Sequence, residues 1–283
     1  MVDEQTDGQT LDWVAHWRQI VDNRRRVVEG LGEANRADEQ FWDRRADQFR
    51  RISEQHDSGS DVLVGMLTEA LGPDGTLLDV GAGAGRYALP LARQARQVTA
   101  VEPSAGMRKH LEERVQQAGV SNLQIVASTW EDADVAPHDV VLAAHILYPI
   151  ADIVPFVRKL AAHARRAWFL TMRVEPMGSE LAPLWEQIWA TPYPPEPTFL
   201  DLYNLLFALG LRANVRLKPF AAGASATSLD EALQQARGRL FLPDGDHQHD
   251  EAIRQFLLSN MLEQADRWQW PQQRLEAVAY ATV

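Results

Sequence analysis

The chain has 283 residues, of which 46% are hydrophobic and 24% are charged, so it has enough apolar material for a substantial core. Its formal net charge of -11 at pH 7 disfavours general binding to the phosphate backbone of a nucleic acid. The absence of cysteine excludes disulfides, thiolate nucleophiles and cysteine-ligated metals.

The first part of the chain is predicted to be helical. Apolar residues at helical spacing indicate helices over Leu11–Leu31, Glu39–Ile52 and about Ser60–Leu71, with Gly72-Pro73 as a stop. We therefore expect residues 1–72 to form an N-terminal helical lid or cap region. Residues 73–283 then form the main domain.

The segment QFWDRRADQFRR is the candidate lid. Trp42 and Phe49 would cap a pocket, with Arg45 or Arg50 near a ligand carboxylate. The alternative is an ordinary helix with an apolar stripe and a solvated arginine face.

Short apolar strands then alternate with helical patterns. The predicted strands are Thr76–Val80, Gln97–Val101, Leu123–Ala127, Asp139–Ala144 and Ala167–Val174. The predicted helices are Gly85–Ala95, Ser104–Gln117 and Ile153–Ala164. Such alternation is typical of an α/β fold with a doubly wound, mostly parallel sheet.

After Val174 this alternation ends, and insertions are predicted at about residues 175–197 and 221–271. The predicted elements are a short helix near Leu181–Ala190, a helix over Thr198–Leu209, a strand over Arg212–Leu217, a mostly helical segment over Ser228–Trp268 and a final strand over Leu275–Val283. We expect the two late strands to form an antiparallel pair at one edge of the sheet.

The sequence LLDVGAGAGRY, which begins at Leu77, places three glycines where a strand ends and a helix begins. Glycines at such a turn let a ligand approach the backbone, and the helix N-terminus offers unpaired N–H groups. The next strand ends in Glu102, at a spacing typical of a carboxylate that accepts both hydroxyls of a ribose. These features predict a ligand that contains a ribose.

The glycine pattern differs from that of a dinucleotide-binding loop. The pattern G-x-G-x-x-G fails at Arg86, which stands where the third glycine is required. Asp79 precedes the loop, and its carboxylate favours a cationic ligand such as S-adenosylmethionine, which carries a sulfonium and an ammonium.

Four stretches, LLDVGAGAGRY, VTAVEPSAGM, LQIVASTWED and HDVVLAAHILY, resemble the successive motifs of class I S-adenosylmethionine-dependent methyltransferases. The resemblance implies a Rossmann-like fold with a seven-stranded sheet, and S-adenosylmethionine as the cofactor with S-adenosylhomocysteine as its product. The residues that it assigns to cofactor binding are Asp79, Gly81, Ala82, Gly83, Gly85, Glu102, Pro103, Met107, Thr129, Trp130, Glu131 and His145. Many relatives have an aspartate in place of Thr129, which leaves a weaker acceptor for the adenine amino group.

The loop after the fourth strand is the predicted acceptor side of the site. His145 is a candidate catalytic base, or it merely packs beside the methionyl part of the cofactor. Tyr148 is a candidate to line the acceptor pocket or to donate a hydrogen bond, and the alternative is a half-buried aromatic residue with no such role.

Two further groups of residues are each open to more than one interpretation. Trp185, Trp189, Tyr193 and Tyr203 would form an aromatic acceptor pocket, bury an insertion or form a contact between two copies of the chain. The histidines of PDGDHQHDE would bind a metal or belong to an exposed polar turn, which we favour, and no metal is assigned.

The expected partner is a small-molecule methyl acceptor. We expect binding neither to nucleic acid nor to a membrane, and the formation of a homodimer is left open. The asparagine–proline–proline–aromatic signature typical of methylation of amino groups on bases is absent. The acidic and polar first residues predict no signal peptide, and the absence of cysteine fits the expected cytoplasmic location. The alternatives are a non-catalytic protein that binds S-adenosylmethionine or S-adenosylhomocysteine, and an NAD-dependent oxidoreductase.

Overall fold

The computed structural model of the chain describes residues 11–32, 61–219, 225–243 and 245–283. Its strands are β1 (Thr76–Val80), β2 (Gln97–Val101), β3 (Leu123–Val126), β4 (His138–Ala144), β5 (Ala164–Arg173), β6 (Asn214–Pro219), β7 (Ser225–Ala226), β8 (Leu262–Gln264), β9 (Arg267–Gln269) and β10 (Leu275–Thr282). Its α-helices are α1 (Trp13–Gly30), α2 (Val62–Leu71), α3 (Ala88–Ala92), α4 (Ala105–Ala118), α5 (Ile153–Ala162), α6 (Ala182–Trp189), α7 (Phe199–Ala208), α8 (Leu229–Arg239) and α9 (Asp250–Asn260).

Seven strands form one sheet in the order β3-β2-β1-β4-β5-β10-β6. The first five strands pair in parallel, whereas β10 is antiparallel to both β5 and β6. The order reverses between β1 and β4, so the carboxyl ends of these strands border the crevice in which doubly wound sheets bind ligands. The predicted fold class and the predicted late antiparallel pair are both confirmed.

Helices cover both faces of the sheet because the side chains of each strand alternate between two apolar layers. One layer packs α1, α5 and α7 against Leu78, Val141 and Leu170. The other packs α2, α3 and α4 against Leu77, Val140 and Phe169. Helix α1 is also tied to the loop after β4, since Trp17 Nε1 donates to the Ile150 carbonyl at 2.7 Å.

A third apolar cluster combines both predicted insertions. Leu184 and Trp185 of α6 pack with Leu233 of α8 and Leu257 of α9, and Val28 of α1 joins them. The division into a cap region and a main domain with insertions stays a prediction. None of the described helices is both long and apolar enough to cross a membrane.

The prediction of mostly helical structure over Ser228–Trp268 is wrong at its end. Strands β8 and β9 form an antiparallel hairpin there, and β9 also pairs with β7. The two loop residues, Ala265 and Asp266, have φ values of 49° and 60°. Two consecutive positive φ values define the turn that suits a two-residue hairpin, but Ala-Asp lacks the glycine by which that turn is usually recognised.

The segment 39–52, which contains Trp42, Arg45, Phe49 and Arg50, lies outside the described residues. The candidate lid is therefore still a prediction from the sequence. Helices predicted over Leu11–Leu31 and about Ser60–Leu71, on either side of it, are present as α1 and α2.

Candidate active site

The glycine loop connects β1 to α3 at the carboxyl edge of the sheet. Gly81, Gly83 and Gly85 have φ values of 69°, 56° and 81°, a backbone region that residues with a Cβ rarely adopt. A Cβ at Gly81 would lie 2.7 Å from Ile146 Cγ2, and one at Gly85 would collide with Leu111. A Cβ at Gly83 would meet no atom of the described residues within 4 Å, so among these residues this glycine borders open space.

Asp79 lies buried at the end of β1, with 2% of its surface exposed. Its Oδ2 atom has no hydrogen-bond partner within the described part of the chain. Burial raises the pKa of the carboxyl to about 7, a hydrogen bond from the Ala88 backbone lowers it, and the nearby charge of Glu102 raises it further. A buried carboxylate oxygen without a partner is costly, which makes Asp79 suited to a cationic ligand.

Glu102 links the end of β2 to the glycine loop. Its Oε2 accepts the Gly83 N–H at 2.8 Å, and its Oε1 accepts the Ser104 N–H at 2.9 Å. A carboxylate oxygen can accept more than one hydrogen bond, so ligand hydroxyls can bind a carboxylate that backbone donors already orient. The backbone donors hold the carboxylate in place at the border of the open space beside Gly83.

Helix α4 begins directly after Glu102 and Pro103. Ser104 is its N-cap and accepts the Met107 N–H at 3.1 Å, as the sequence predicts. Met107 is buried on this first turn, with 5% of its surface exposed. Arg114 at the other end of α4 donates to the Ala84 carbonyl at 2.6 Å and so fixes the helix to the glycine loop.

The three residues predicted at the adenine edge differ in their surroundings. Thr129 Oγ1 donates to Asp132 at 3.0 Å, and Glu131 is exposed. The side chain of Trp130 is a core residue whose Nε1 donates to the Phe156 carbonyl at 3.2 Å. Lys159 stabilises this turn by donating to the carbonyls of Trp130, Glu131 and Ala133.

His145 directly follows β4 and has a strained backbone conformation, with φ at 58°. Its Nδ1 lies 3.0 Å from the Tyr148 hydroxyl, and its Nε2 lies 2.5 Å from Glu276 Oε2 on β10. Burial lowers the pKa of the imidazole below its ordinary value, although Glu276 opposes this shift. Both ring nitrogens are thus engaged within the protein, an arrangement that neither sequence interpretation of His145 includes.

Glu276 is also paired with Lys218, whose Nζ lies 2.7 Å from Oε1. The same Nζ lies 2.6 Å from Oδ1 of Asp61, and Asp61 pairs with Arg86 directly after the glycine loop. Burial raises the pKa of the Glu276 carboxyl, but hydrogen bonds and charges from His145 and Lys218 prevail and lower it to about 2. An ionised chain of side chains therefore connects β10, β6, α2 and the glycine loop.

Tyr148 makes two contacts with Arg173 in addition to its contact with His145. Its oxygen accepts the Arg173 N–H at 3.0 Å, and the Arg173 guanidinium lies 4.0 Å from the centre of its ring. Glu196 pairs with Arg173 at 2.5 Å and with Arg24 of α1 at 3.2 Å. Burial raises the pKa of the Tyr148 hydroxyl above its ordinary value.

Sequence reasoning did not identify Glu276, Lys218 or Asp61 as site residues. One signal was available for the first two, because each is a charged residue within a strand of the main sheet. Buried charges require partners, so such residues indicate an ion pair even when the partner is unknown.

The aromatic residues of the first insertion do not form one group with Tyr203. Trp185 is fully buried and contacts the rings of Trp189, Tyr193 and Phe241. Tyr203 instead stacks on Phe199 of α7, in the layer that covers the sheet. These contacts favour the interpretation in which the aromatic residues bury the insertion.

The polar turn with His247 and His249 shows only local contacts. His247 Nδ1 lies 2.8 Å from Asp250, and Gln248 contacts His249. Across the described ranges, no group of three or more histidine, aspartate or glutamate side chains is arranged to hold a metal ion.

Residues 77–167 match the family model described as a methyltransferase domain. An uncharacterised protein of Haemophilus influenzae is 33% identical over 144 residues, which are 50% of this chain and 53% of that protein. The 23S rRNA (uracil(1939)-C(5))-methyltransferase RlmD of Xanthomonas campestris pv. campestris is 41% identical over 56 residues, or 20% of this chain and 13% of RlmD. The matched part thus spans about half the length of the Haemophilus protein and a small part of RlmD.

Among solved structures, the YcgJ protein of Bacillus subtilis is similar with a TM-score of 0.52 and 13% identity, over 77% of this chain and 96% of YcgJ. The sheet order, the glycine loop and the domain match together define a class I S-adenosylmethionine-dependent methyltransferase fold. Residues 77–167 form its methyltransferase domain, and the family resemblance inferred from the sequence is confirmed.

Proposed function

We propose that the chain is an S-adenosylmethionine-dependent methyltransferase that acts on a small-molecule acceptor. The observation that carries this proposal is the buried Asp79 Oδ2 atom, which has no partner within the described residues and is suited to an ammonium. It lies at the end of β1, directly before the loop in which Gly83 borders open space and donates to Glu102.

The residues present fit the cofactor. Asp79 would bind its ammonium, and Glu102 would accept its ribose hydroxyls. The backbone around Gly83 would lie against its amino-acid part, because a side chain is absent there. Met107 and the turn at Thr129–Glu131 would contact its adenine. Bound S-adenosylmethionine supplies an electrophilic methyl group attached to a sulfonium.

The work left to the protein is positioning and the exclusion of water. The loop after β4 would form the acceptor side, since Ile146, which lies between His145 and Tyr148 in this loop, is close to Gly81. A proton-accepting group is needed only where the acceptor atom carries a proton that must leave.

A small acceptor is favoured over a nucleic acid by charge. The net charge of -11 opposes the approach of a phosphate backbone. RlmD is named for an rRNA substrate, but its similarity to this chain covers only 56 residues. Those residues are too few to carry a substrate from one protein to the other.

The cofactor assignment is tested by calorimetric titration with S-adenosylmethionine and S-adenosylhomocysteine. Glu102→Gln is expected to weaken binding at least about tenfold, or about 1.4 kcal/mol. Glu112→Gln, an exposed change on α4, is the matched control and should bind like the wild type. Wild-type protein that binds neither compound would contradict the proposal.

Two alternatives predict different results. A non-catalytic binding protein would bind S-adenosylmethionine but release no S-adenosylhomocysteine with any of a broad set of small acceptors. An NAD-dependent oxidoreductase would bind NADH in a fluorescence titration. Arg86 disfavours the latter, because it stands at the glycine position of the dinucleotide pattern and is held in place by Asp61.

A further inference from the structure

The contacts around His145 determine the direction of each hydrogen bond. The Arg173 N–H and the Lys218 ammonium can only donate, and the ionised Glu276 carboxylate can only accept. Glu276 therefore accepts the Nε2–H of His145, which leaves Nδ1 of the neutral imidazole as an acceptor. Tyr148 must then donate its hydroxyl proton to Nδ1.

These contacts limit the hydrogen bonds that the Tyr148 hydroxyl can make with a ligand. Its proton is committed to His145, and one of its lone pairs accepts the Arg173 N–H. The remaining lone pair can only accept a hydrogen bond, so a ligand group that binds there must carry a proton. Tyr148 is therefore arranged to receive a proton from a ligand and not to donate one.

We propose that Tyr148 is the catalytic residue that accepts the proton of the methyl acceptor and passes its own proton to His145, with Glu276 as the positioning residue that fixes the tautomer of His145. This inference rests on the proposed methyltransferase function. It deepens that function by assigning the acceptor chemistry, a hydroxyl or amine nucleophile whose proton must leave.

The proton transfer balances. As the nucleophile bonds to the methyl carbon, the bond from that carbon to sulfur breaks and its electron pair stays on sulfur. The nucleophile's proton moves to the Tyr148 oxygen while the Tyr148 proton moves to His145 Nδ1. His145 becomes an imidazolium that donates to both Tyr148 and Glu276, and it later releases the proton to water.

The charges around His145 support this cycle. Glu276 of β10 faces Nε2, Thr171 Oγ1 of β5 lies 3.3 Å from the same nitrogen, and Tyr148 faces Nδ1. Arg173 and Arg86 lower the pKa of His145 together with burial, which keeps the resting imidazole neutral. Lys218 favours the ionised form of Glu276 and holds it in place for the moment at which His145 becomes charged, and Asp61 in turn holds Lys218.

The first test needs no methyl acceptor. Protein labelled with ¹⁵N in its histidines is examined by NMR between pH 5 and 9, with the His145 signals assigned from their loss in His145→Gln. We expect a neutral ring at pH 7 with its proton on Nε2. A proton on Nδ1, or a ring protonated at pH 7, would overturn the proposal.

Variants test the role of each neighbour. Glu276→Gln should give a mixture of the two His145 tautomers, whereas Tyr148→Phe should shift the Nδ1 signal and leave Nε2 protonated. Tyr280→Phe on β10 is the matched control, because Tyr280 stacks on Phe169 away from this network. Should Glu276→Gln fail to fold, the nearly isosteric Tyr148→Phe still decides, and an unchanged Nδ1 signal in it would count against the relay.

The second test uses an acceptor found by screening for S-adenosylhomocysteine release. Tyr148→Phe should lower kcat about 100-fold or more and change its pH profile, with the affinity for S-adenosylmethionine unchanged within about twofold. Tyr280→Phe should match the wild type. If Tyr148→Phe binds the cofactor tightly and turns over as fast as the wild type, the proton transfer through Tyr148 to His145 is rejected and the proposed function stands. If the wild type does not bind the cofactor, the proposed function itself is rejected.

Discussion

The Gly83 N–H donates to Glu102 Oε2 at 2.8 Å and thereby joins the loop after β1 to the end of β2. This contact couples the two parts of the site that the sequence motifs identify separately. Because Gly83 has a positive φ and open space beside its Cα, the same residue both orients the carboxylate and leaves room for a ligand.

Alanine substitutions should separate these two roles. Gly83→Ala should destabilise the fold by about 1–2 kcal/mol through backbone strain alone and weaken cofactor binding strongly. Gly85→Ala should destabilise it more, because the new Cβ also meets Leu111. Urea unfolding and calorimetric titration measure the two effects. Equal affinity of Gly83→Ala and the wild type for S-adenosylmethionine would contradict the assignment of the space beside Gly83.

Asp79 should make the stability of the unliganded protein depend on pH. Its folded-state pKa of about 7 lies above the ordinary 3.8, so the folded protein retains a proton that the unfolded chain loses between these values. The free energy of unfolding should therefore fall as pH rises from about 4 through 7. Asp79→Asn should remove this part of the pH dependence. The stability of the variant relative to the wild type should therefore be greater at pH 8 than at pH 5. Urea unfolding at both pH values tests this, and parallel behaviour of the two proteins would refute it.

Cofactor binding should release a proton from Asp79. An ammonium beside this carboxylate favours its ionised form, so affinity for S-adenosylmethionine should rise between pH 5.5 and 7. Titrations in buffers of different ionisation enthalpy report the protons released. The release should approach one at pH 5.5, and it should disappear in Asp79→Asn but persist in Glu112→Gln. Release that persists in Asp79→Asn would point to another group.

Lys218 should be a large contributor to stability. It is buried and pairs with both Asp61 and Glu276, so Lys218→Met would leave the buried Glu276 carboxylate without its cation and would leave Asp61 with Arg86 alone. We expect a loss of about 3–5 kcal/mol in urea unfolding at pH 7. The control is Arg212→Met, whose guanidinium lies over the exposed ring of Phe207 and should contribute far less. A similar loss of stability in both variants would show that the buried ion pairs of Lys218 contribute no more than the exposed contact of Arg212.

Trp185 should serve packing and not acceptor binding. The fully buried ring joins α6 to the C-terminal insertion, so Trp185→Ala should cost about 3–5 kcal/mol, and Trp185→Phe should cost much less. Cofactor affinity should be unchanged in Trp185→Phe. A selective rise of the acceptor KM in Trp185→Phe, without loss of stability, would instead support the aromatic pocket.

The sequence predicts the parallel half of the sheet well because each strand there is a short apolar run followed by a helix with clear signals. Ser104, for example, is both the predicted and the observed N-cap of α4. The glycines and Glu102 are equally visible, since they occur at fixed spacing within one strand–turn–helix unit.

The surroundings of His145 could not be predicted in the same way. Glu276 is 131 residues away along the chain, and it meets His145 only because β10 inserts between β5 and β6. The pairing of Glu276 with Lys218 depends on the register of two antiparallel strands, which no local pattern specifies. The hairpin at Leu262–Gln269 was missed for a different reason, namely a turn built without glycine.

The proposed acceptor side combines residues from distant parts of the chain. The proposed cofactor residues lie within the matched segment 77–167, whereas Glu276, Lys218 and Asp61 lie outside it. Glu276, whose Oε2 lies 2.5 Å from His145 Nε2, thus reaches the site from outside the matched segment. Exchanging the C-terminal strands between homologues offers a route to new acceptors with the methyl donor retained.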